Sequence, residues 1–286
     1  MHQRVTRLIR VIGMCLPLRL SIFLAGLNRG LRFLVPPGKD FLFHKYLKDM
    51  TVCINTVYPI ETRMLTGTYE PDISAIIERF VGQDSVVIDV GANVGALTLL
   101  MAKTAKCGRV IAVEPGPTIC SRLRRNIDLN PELQSIVDVF QVGISDKIGE
   151  LFWKEDANNR GNAGLLGHDG QSVRVDTLDH IVDSAHLTKI DFIKIDVEGM
   201  EYEVIKSGMA SILKYRPLIC YETLDAFREF RGFDIYGEIF SRLCNIGYKH
   251  FAILPKGKTV EVSNLDVLCS ANVLAVPQEK IGAKFK

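Results

Sequence analysis

The sequence predicts an α/β domain with a mostly parallel sheet and helices on both of its faces. Strand-like and helix-like stretches alternate from Val86 to Asn245, which is typical of strand–helix–strand units that build a parallel sheet. A chain of 286 residues with 47% hydrophobic content can bury one full core of this kind. We therefore expect one main α/β domain.

The elements of this domain follow from apolar runs bounded by turn residues. Strands are predicted at Val86 to Asp89, Arg109 to Val113, Val137 to Val142, Glu150 to Lys154, Ser172 to Val175, Asp191 to Glu198, Pro217 to Glu222, Tyr248 to Leu254 and Val267 to Val276. Helices are predicted at Ile73 to Val81, Ala96 to Ala102, Pro115 to Asn130, from Thr177 to Val182, Glu201 to Leu213 and Tyr236 to Asn245. The stretch Asp156 to Gly170 is rich in Asn and Gly and is predicted to be a loop, either a substrate lid or plain surface.

The chain ahead of this domain has a different composition. Residues 1–39 carry seven Arg or Lys and no acid, which leaves −5 for the rest because the whole chain has a net charge of +2. Pro36-Pro37-Gly38 marks the boundary. We therefore divide the chain into a basic apolar segment at 1–39, a lead-in region at 40–84 and the main domain at 85–286. The acidic body argues against a broad nucleic-acid surface.

Three interpretations of residues 1–39 remain open. Their uncharged runs are too short to span a bilayer, which needs about 20 apolar residues. Arg4, Arg7 and Arg10 fall on one side of a helix, which suits a helix lying in a membrane interface. The same helix could instead pack on the domain, or the segment could be a cleaved targeting peptide. We expect a cytoplasmic protein, with peripheral membrane contact through residues 1–35 as one alternative.

The stretch Val86 to Gly95 predicts a ligand-binding turn between a strand and a helix. Gly91 and Gly95 allow a tight turn, but Asn93 stands where a dinucleotide-binding fingerprint has its second glycine. Asp89 ends the strand, and a carboxylate there suits a cationic ligand. Glu114 ends the next strand, where a carboxylate can accept both hydroxyls of a ribose. This combination indicates a nucleoside with a positively charged tail.

Three sequence blocks together resemble one known family. Asp-Val-Gly-Ala-Asn-Val-Gly at Asp89 to Gly95, Arg-Val-Ile-Ala-Val-Glu-Pro from Arg109 and Asp-Phe-Ile-Lys-Ile-Asp-Val-Glu-Gly from Asp191 have its order and spacing. In these blocks the chain resembles the FkbM-type family of class I S-adenosylmethionine-dependent methyltransferases. The resemblance covers roughly Tyr69 to Glu222.

The resemblance implies a Rossmann-like class I methyltransferase fold, with seven strands and a final antiparallel pair. It also implies S-adenosyl-L-methionine as cofactor and an O-methyltransferase acting on a hydroxyl of a sugar, glycolipid or small natural product. Glu70 is assigned to the amino-acid end of the cofactor by similarity. The Val142 and Gly143 backbone is assigned to the adenine edge for another reason, because it lies at the carboxyl end of a predicted strand, where a doubly wound sheet has its cofactor crevice. The predicted cofactor-binding set is thus Glu70, Asp89, Gly91, Asn93, Gly95, Glu114, Val142 and Gly143.

An alcohol acceptor needs a base to take its proton as the methyl group is transferred. Strand alternation over Asp191 to Glu198 puts Lys194, Asp196 and Glu198 on one side, so both carboxylates are predicted to reach the cofactor crevice. Two close carboxylates can raise one pKa toward neutrality, whereas Lys194 can oppose this by pairing with Asp196. Glu222, at the end of the next strand, is a further candidate. The predicted catalytic residues are Asp196, Glu198 and Glu222.

Other chemistries are less well supported by the sequence. The seven cysteines are odd in number and lack Cys-x-x-Cys spacing, so we expect reduced thiols, with Cys220 in the core. No His/Cys/Asp cluster has metal-ligand spacing, and no metal site is predicted. Three alternative functions stay open: an RNA methyltransferase, a nicotinamide-dependent oxidoreductase, and a non-catalytic methyltransferase fold that serves as a binding protein.

Overall fold

A computed structural model describes residues 38–47, 49–154, 164–167, 170–265 and 270–282. The predictions for residues 1–37 lie outside the described residues. The chain divides into two compact units, which within the described part comprise residues 38–69 and the residues from 70 onward.

The first unit consists of a hairpin and a helix. Strands β1 (Phe41–Tyr46) and β2 (Met50–Ile54) pair antiparallel, and helix α1 (Pro59–Thr66) follows. The stretch Thr51 to Tyr58 is rich in β-branched residues, which favours a short strand or hairpin, and a hairpin is observed. Helix α1 has no counterpart in the sequence predictions.

The second unit contains the other described strands and helices. Its strands are β3 (Val86–Val90), β4 (Arg109–Val113), β5 (Val137–Phe140), β6 (Gly143–Ile144), β7 (Gly149–Lys154), β8 (Gly164–Gly167), β9 (Gln171–Asp176), β10 (Phe192–Ile195), β11 (Leu218–Leu224), β12 (Tyr248–Leu254), β13 (Lys258–Val262) and β14 (Ser270–Pro277). Its helices are α2 (Pro71–Phe80), α3 (Ala96–Thr104), α4 (Pro117–Asp128), α5 (Leu178–Ser184), α6 (Glu201–Ser207), α7 (Met209–Tyr215), α8 (Asp225–Arg231) and α9 (Ile235–Asn245).

The central sheet confirms the predicted fold class. Its described strands lie in the order β13-β12-β14-β11-β10-β3-β4-β5. The five strands from β11 to β5 are parallel, whereas β14, β12 and β13 pair antiparallel. The sheet therefore has one strand more than the seven expected, because Lys258–Val262 adds an edge strand beside β12. The carboxyl ends of the parallel strands meet at one edge, where α/β proteins bind their ligands.

A second sheet is formed by the segment between β5 and α5. Its four strands lie in the order β6-β9-β7-β8. The prediction of one strand from Val137 to Val142 is corrected here, because β5 ends at Phe140 and Gly143 pairs with Val175 in this second sheet. The prediction of a continuous loop from Asp156 to Gly170 is also wrong in part, since β8 pairs with β7 within it. Residues 155–163 and 168–169 are outside the described residues.

Several other helix and strand boundaries differ from the predictions. The predicted helix over Glu201 to Leu213 is two helices that meet at Gly208, where a Cβ would lie 2.5 Å from Leu178 Cδ2. The strand predicted to run to Glu198 ends at Ile195. Helix α8 was not predicted, and none of its residues is buried. Within the part of the chain that the structure describes, no helix has the length and hydrophobicity needed to cross a membrane.

Candidate active site

The turn after β3 has the tight geometry that its glycines predict. Gly91, Asn93 and Gly95 all have positive φ, at 80°, 51° and 87°. Asn is one of the few residues other than Gly that tolerates this left-handed region, which explains how Asn93 replaces the second glycine of the fingerprint. The N–H groups of Gly91 and Ala92 both donate to the Val113 carbonyl at 3.0 Å. The turn is thereby fixed to the end of β4.

Glu114 joins this turn to the loop after β4. Its carboxylate is buried, and Oε2 accepts from the Asn93 N–H while Oε1 accepts from the Gly116 N–H, each at 2.9 Å. A carboxylate can accept about four hydrogen bonds, so one that holds these two amides can also accept from ribose hydroxyls. The role of Glu114 at the ribose of a nucleoside cofactor stays a prediction.

Asp89 lies beneath the turn, where it is fully buried. Its Oδ2 accepts from Thr98 Oγ1 of α3 at 2.6 Å, and its Oδ1 lies 3.5 Å from Lys194 Nζ. The chain itself thus supplies a cation for Asp89. A direct contact between Asp89 and the ammonium group of a cofactor stays a prediction.

Lys194 connects the turn after β3 with Asp196, a predicted catalytic residue. This turn, Gly91 to Gly95, is called the donor turn below because it is predicted to bind the methyl donor. Lys194 stands opposite Asp89 in the parallel register of β10 and β3, and only 6% of it is exposed. Its Nζ lies 3.1 Å from Asp196 Oδ2 and donates to the Gly91 carbonyl at 3.2 Å. The Gly91 turn also touches Asp196 directly, because a Cβ on Gly91 would lie 1.8 Å from the Asp196 carbonyl oxygen. One buried lysine therefore contacts both carboxylates and the turn.

Asp196 and Glu198 lie in the turn after β10, so strand alternation does not explain their positions. Glu198 has a φ of 53° and Gly199 a φ of 94°, which reverses the chain direction. The turn is held by Glu201, whose Oε1 accepts from the Val197 and Gly199 N–H groups at 3.3 and 3.2 Å. Arg231 of α8 donates to the Gly199 carbonyl at 2.7 Å.

A cleft at the carboxyl ends of β10 and β11 collects several of the predicted residues. Its polar lining is Glu70, Lys194, Asp196, Cys220, Glu222 and Asn272. Glu70, Asp196 and Glu222, which are far apart in the sequence, are therefore brought together, while Glu198 lies beside this lining. The role of each residue is still a prediction.

Burial and mutual repulsion change the acidity of these carboxylates. The pKa of Glu222 is raised to about 8, first by burial and then by the charges of four neighbouring carboxylates. The pKa of Glu198 is also raised to about 8, by burial and then by Asp196 and Glu201. Both residues therefore keep their protons at neutral pH and can donate hydrogen bonds. Burial raises the pKa of the Cys220 thiol to about 12, which suits the core role that the sequence predicted.

Val142 and Gly143 lie where the central sheet passes into the second sheet. Val142 is buried, and its N–H donates to the Phe140 carbonyl at 3.1 Å. Both residues follow the carboxyl end of β5 directly, on the same sheet edge as Glu114. Their contact with an adenine ring stays a prediction.

Sequence analysis missed Glu201, Asn272 and Arg231 as parts of this region. An acidic residue at the start of a helix after Gly199 was an available signal for Glu201. Asn272 pairs in register with Glu222 across β11 and β14, a juxtaposition that only the sheet topology reveals. Arg231 lies on the unpredicted helix α8.

The sheet order, the glycine turn and the buried acid at the end of β4 define a Rossmann-like S-adenosylmethionine-dependent methyltransferase. Residues 89–250, more than half of the chain, match the family model of the methyltransferase FkbM domain. The chain belongs to this FkbM methyltransferase family, and S-adenosyl-L-methionine is its cofactor.

Several characterised proteins are similar to this chain at modest identity. Hexuronic acid methyltransferase AglP of Haloferax volcanii is 29% identical over 147 residues, which cover 51% of this chain and 58% of AglP. The 2-O-methyltransferase NoeI of Sinorhizobium fredii is 26% identical over 160 residues, covering 49% of this chain and 64% of NoeI. The match thus spans less than two thirds of either relative.

Among solved structures, that of methyltransferase FkbM from Methylobacillus flagellatus is similar with a TM-score of 0.47 and 16% identity. The similarity covers 76% of this chain and 52% of that protein.

Proposed function

We propose that this methyltransferase is an O-methyltransferase that acts on a hydroxyl of a sugar, a glycolipid or another small natural product. The observation that carries the proposal is the position of the Asp196 carboxylate, which lies in the acidic cleft and is joined to the Gly91 carbonyl of the donor turn by Lys194, whose Nζ lies 3.1 Å from Asp196 Oδ2 and 3.2 Å from the Gly91 carbonyl. An acceptor hydroxyl in that cleft would have a proton acceptor beside the methyl donor. The names of AglP and NoeI, a hexuronic acid methyltransferase and a 2-O-methyltransferase, support this acceptor class.

S-adenosylmethionine supplies an activated methyl group that is displaced in line from its sulfur. The chain has to hold the acceptor oxygen on that line, and such positioning can contribute about 7 to 11 kcal/mol to catalysis. We assign proton removal to Asp196, whose negative charge is balanced by Lys194 at 3.1 Å. Glu222 and Glu198, protonated at neutral pH, are assigned hydrogen bonds to the acceptor.

Cofactor binding is the first test of these assignments. Calorimetry would titrate S-adenosylmethionine, S-adenosylhomocysteine and NADH into the wild type and into Glu114→Ala. We expect the first two ligands to bind, and the substitution to weaken both. Binding of NADH alone would contradict the site assignment and favour an oxidoreductase.

Turnover is the second test, measured as release of S-adenosylhomocysteine with a panel of glycosides and hydroxylated natural products. Asp196→Asn should lower turnover by about 10²- to 10⁴-fold while changing the S-adenosylhomocysteine affinity little, because a general base acts only in the chemical step. Asp146→Asn is the matched control, since Asp146 pairs with Lys206 at an exposed site. Normal turnover in Asp196→Asn would remove Asp196 from the mechanism.

The pH profile distinguishes Asp196 from Glu222 as the base. If Glu222 were the base, turnover would rise as Glu222 loses its proton around pH 8. If Asp196 is the base and Glu222 a hydrogen-bond donor, turnover should instead fall above pH 8. We expect the fall.

For residues 1–35 we propose peripheral contact with a membrane, which would suit a lipid-linked acceptor. The seven basic residues and the absence of acids in residues 1–39 support it. Deletion of residues 1–35 should release the protein from anionic liposomes, as measured by co-sedimentation. Unchanged partitioning would contradict the proposal.

A further inference from the structure

The second sheet presents a buried aromatic residue toward the cofactor region. Trp153, on β7, is the only tryptophan in the sequence, and 7% of it is exposed. Its neighbour Phe152 is 46% exposed, as expected for the opposite face of the same strand. Trp153 is therefore the residue at this point of β7 that faces the protein interior.

The indole of Trp153 lies directly against Gly116. A Cβ built on Gly116 would be 2.7 Å from Cζ2 and 2.9 Å from Nε1 of the indole, closer than real Cβ atoms approach a neighbour. Gly116 has a φ of −66°, which any residue can adopt. The glycine is thus needed for close approach of the indole and not for backbone conformation.

Gly116 is also one of the residues that hold Glu114. Its N–H donates to Glu114 Oε1 at 2.9 Å, and the Asn93 N–H holds the other oxygen. The indole therefore packs on the peptide that orients one side of this carboxylate. A displacement of Gly116 would change the direction of that hydrogen bond, and with it the orientation of Glu114.

We propose that Trp153 is a positioning residue for the S-adenosylmethionine site. Its packing on Gly116 sets the orientation of Glu114, so the second sheet helps to determine the affinity for the adenosine part of the cofactor. This inference rests on the proposed role of Glu114 as acceptor of the ribose hydroxyls. It assigns the second sheet a part in cofactor binding in addition to any part in acceptor binding.

The full chain itself allows a direct test, because a single tryptophan reports on its own surroundings. Titration of S-adenosylhomocysteine should change the emission of Trp153 in a saturable way. In calorimetry, the dissociation constant of S-adenosylhomocysteine should increase about tenfold in Trp153→Leu and in Gly116→Ala. The increase should be smaller in Trp153→Phe. Phe152→Leu is the matched control on the same strand and should bind as tightly as the wild type.

A double-mutant cycle with Glu114→Ala separates positioning from general destabilisation. If Trp153 acts through Glu114, then Trp153→Leu should weaken binding less than about twofold when Glu114 is already alanine. Equal losses in both backgrounds would overturn the inference, as would wild-type affinity in both Trp153→Leu and Gly116→Ala. Thermal unfolding without ligand checks that each variant is folded, and Trp153→Phe replaces Trp153→Leu in the cycle if the latter is not.

Failure of the proposed function has a different signature. It would appear as no binding of S-adenosylhomocysteine to the wild type, or as no effect of Glu114→Ala alone. Failure of the present inference leaves both of these intact and changes only the results for Trp153 and Gly116.

Discussion

Two carboxylates at the same edge of the sheet, the buried Glu114 and the half-buried Glu222, have opposite environments. Glu114, after β4, has both oxygens bonded to backbone N–H groups at 2.9 Å. Glu222, near the end of β11, is surrounded by Asp196, Glu198, Glu201 and Glu70, and its pKa is raised to about 8. The proposed cofactor-binding half of the site around Glu114, here called the donor side, is thus held by the backbone. The proposed acceptor-binding half around Glu222, here called the acceptor side, concentrates carboxylates that repel one another.

This difference is consistent with the roles proposed for the two halves. Backbone N–H groups hold the Glu114 carboxylate in one orientation, which suits recognition of the same cofactor in every turnover. Crowded carboxylates hold protons near neutral pH, which suits proton transfer with the acceptor. Lys194 is one point of contact between the halves, because it touches Asp89 and Gly91 on one side and Asp196 on the other.

The largest effect should come from removing this contact. Lys194→Met would leave two carboxylates without their buried cation, and we expect the free energy of unfolding to fall by about 3 to 5 kcal/mol. Urea denaturation at neutral pH measures this loss of stability. The control is Lys103→Met, whose partner Glu132 is more than half exposed, and which should cost about 0.5 kcal/mol or less. Similar losses in the two variants would show that Lys194 does not join the halves.

Gly91→Ala should have the next largest effect. The new Cβ would lie 1.8 Å from the Asp196 carbonyl oxygen at a residue with a φ of 80°, so both the turn and the Asp196 loop must move. We expect a loss of about 2 to 4 kcal/mol in stability, together with weaker S-adenosylhomocysteine binding. Gly149→Ala is the control, because a Cβ on Gly149 meets nothing within 4 Å. A stable Gly91→Ala variant with normal affinity would contradict the close contact of the halves.

The proton affinity of the acceptor side gives a third prediction. Glu222 binds its proton more tightly in the folded protein, with a pKa of about 8, than at its usual value of 4.5. Folding therefore takes up protons between these values, and stability should decrease as the pH rises from about 4.5 to 8. Glu222→Gln removes this titration, so the stability advantage of the variant over the wild type should be about 2 to 4 kcal/mol larger at pH 8 than at pH 5.

Urea denaturation of both proteins across this pH range measures the difference. Parallel stability curves would mean that Glu222 titrates alike in the folded and unfolded chain. In that case the two halves would not differ in proton affinity.

The geometry of the donor turn could be predicted from the sequence, whereas the arrangement of carboxylates on the acceptor side could be predicted only in part. Local features decide the former: two glycines, the αL-tolerant Asn93 and an acid at a strand end. The latter depends on long-range pairing, such as Glu222 opposite Asn272. The predicted alternation over Asp196 and Glu198 failed because β10 ends at Ile195, where the turn held by Glu201 begins. The edge strand β13 does carry a local signal that was missed, the β-branched Thr259, Val260 and Val262 after the turn Pro255–Gly257. Helix α8 buries none of its residues and so has no core-facing apolar stripe to indicate it.

The smallest effect is expected for Asn93→Gly, and it defines what the donor turn needs from this position. Glycine fits the φ of 51° without strain and keeps the N–H that holds Glu114, but it loses the bond from the Val94 N–H to Asn93 Oδ1. These changes oppose each other, so stability should change by about 0.5 kcal/mol or less and the S-adenosylhomocysteine affinity by less than about twofold. Calorimetry of both proteins decides the matter. A tenfold loss of affinity would mean that the Asn93 side chain itself binds the cofactor, and that the donor side depends on side-chain recognition as the acceptor side does.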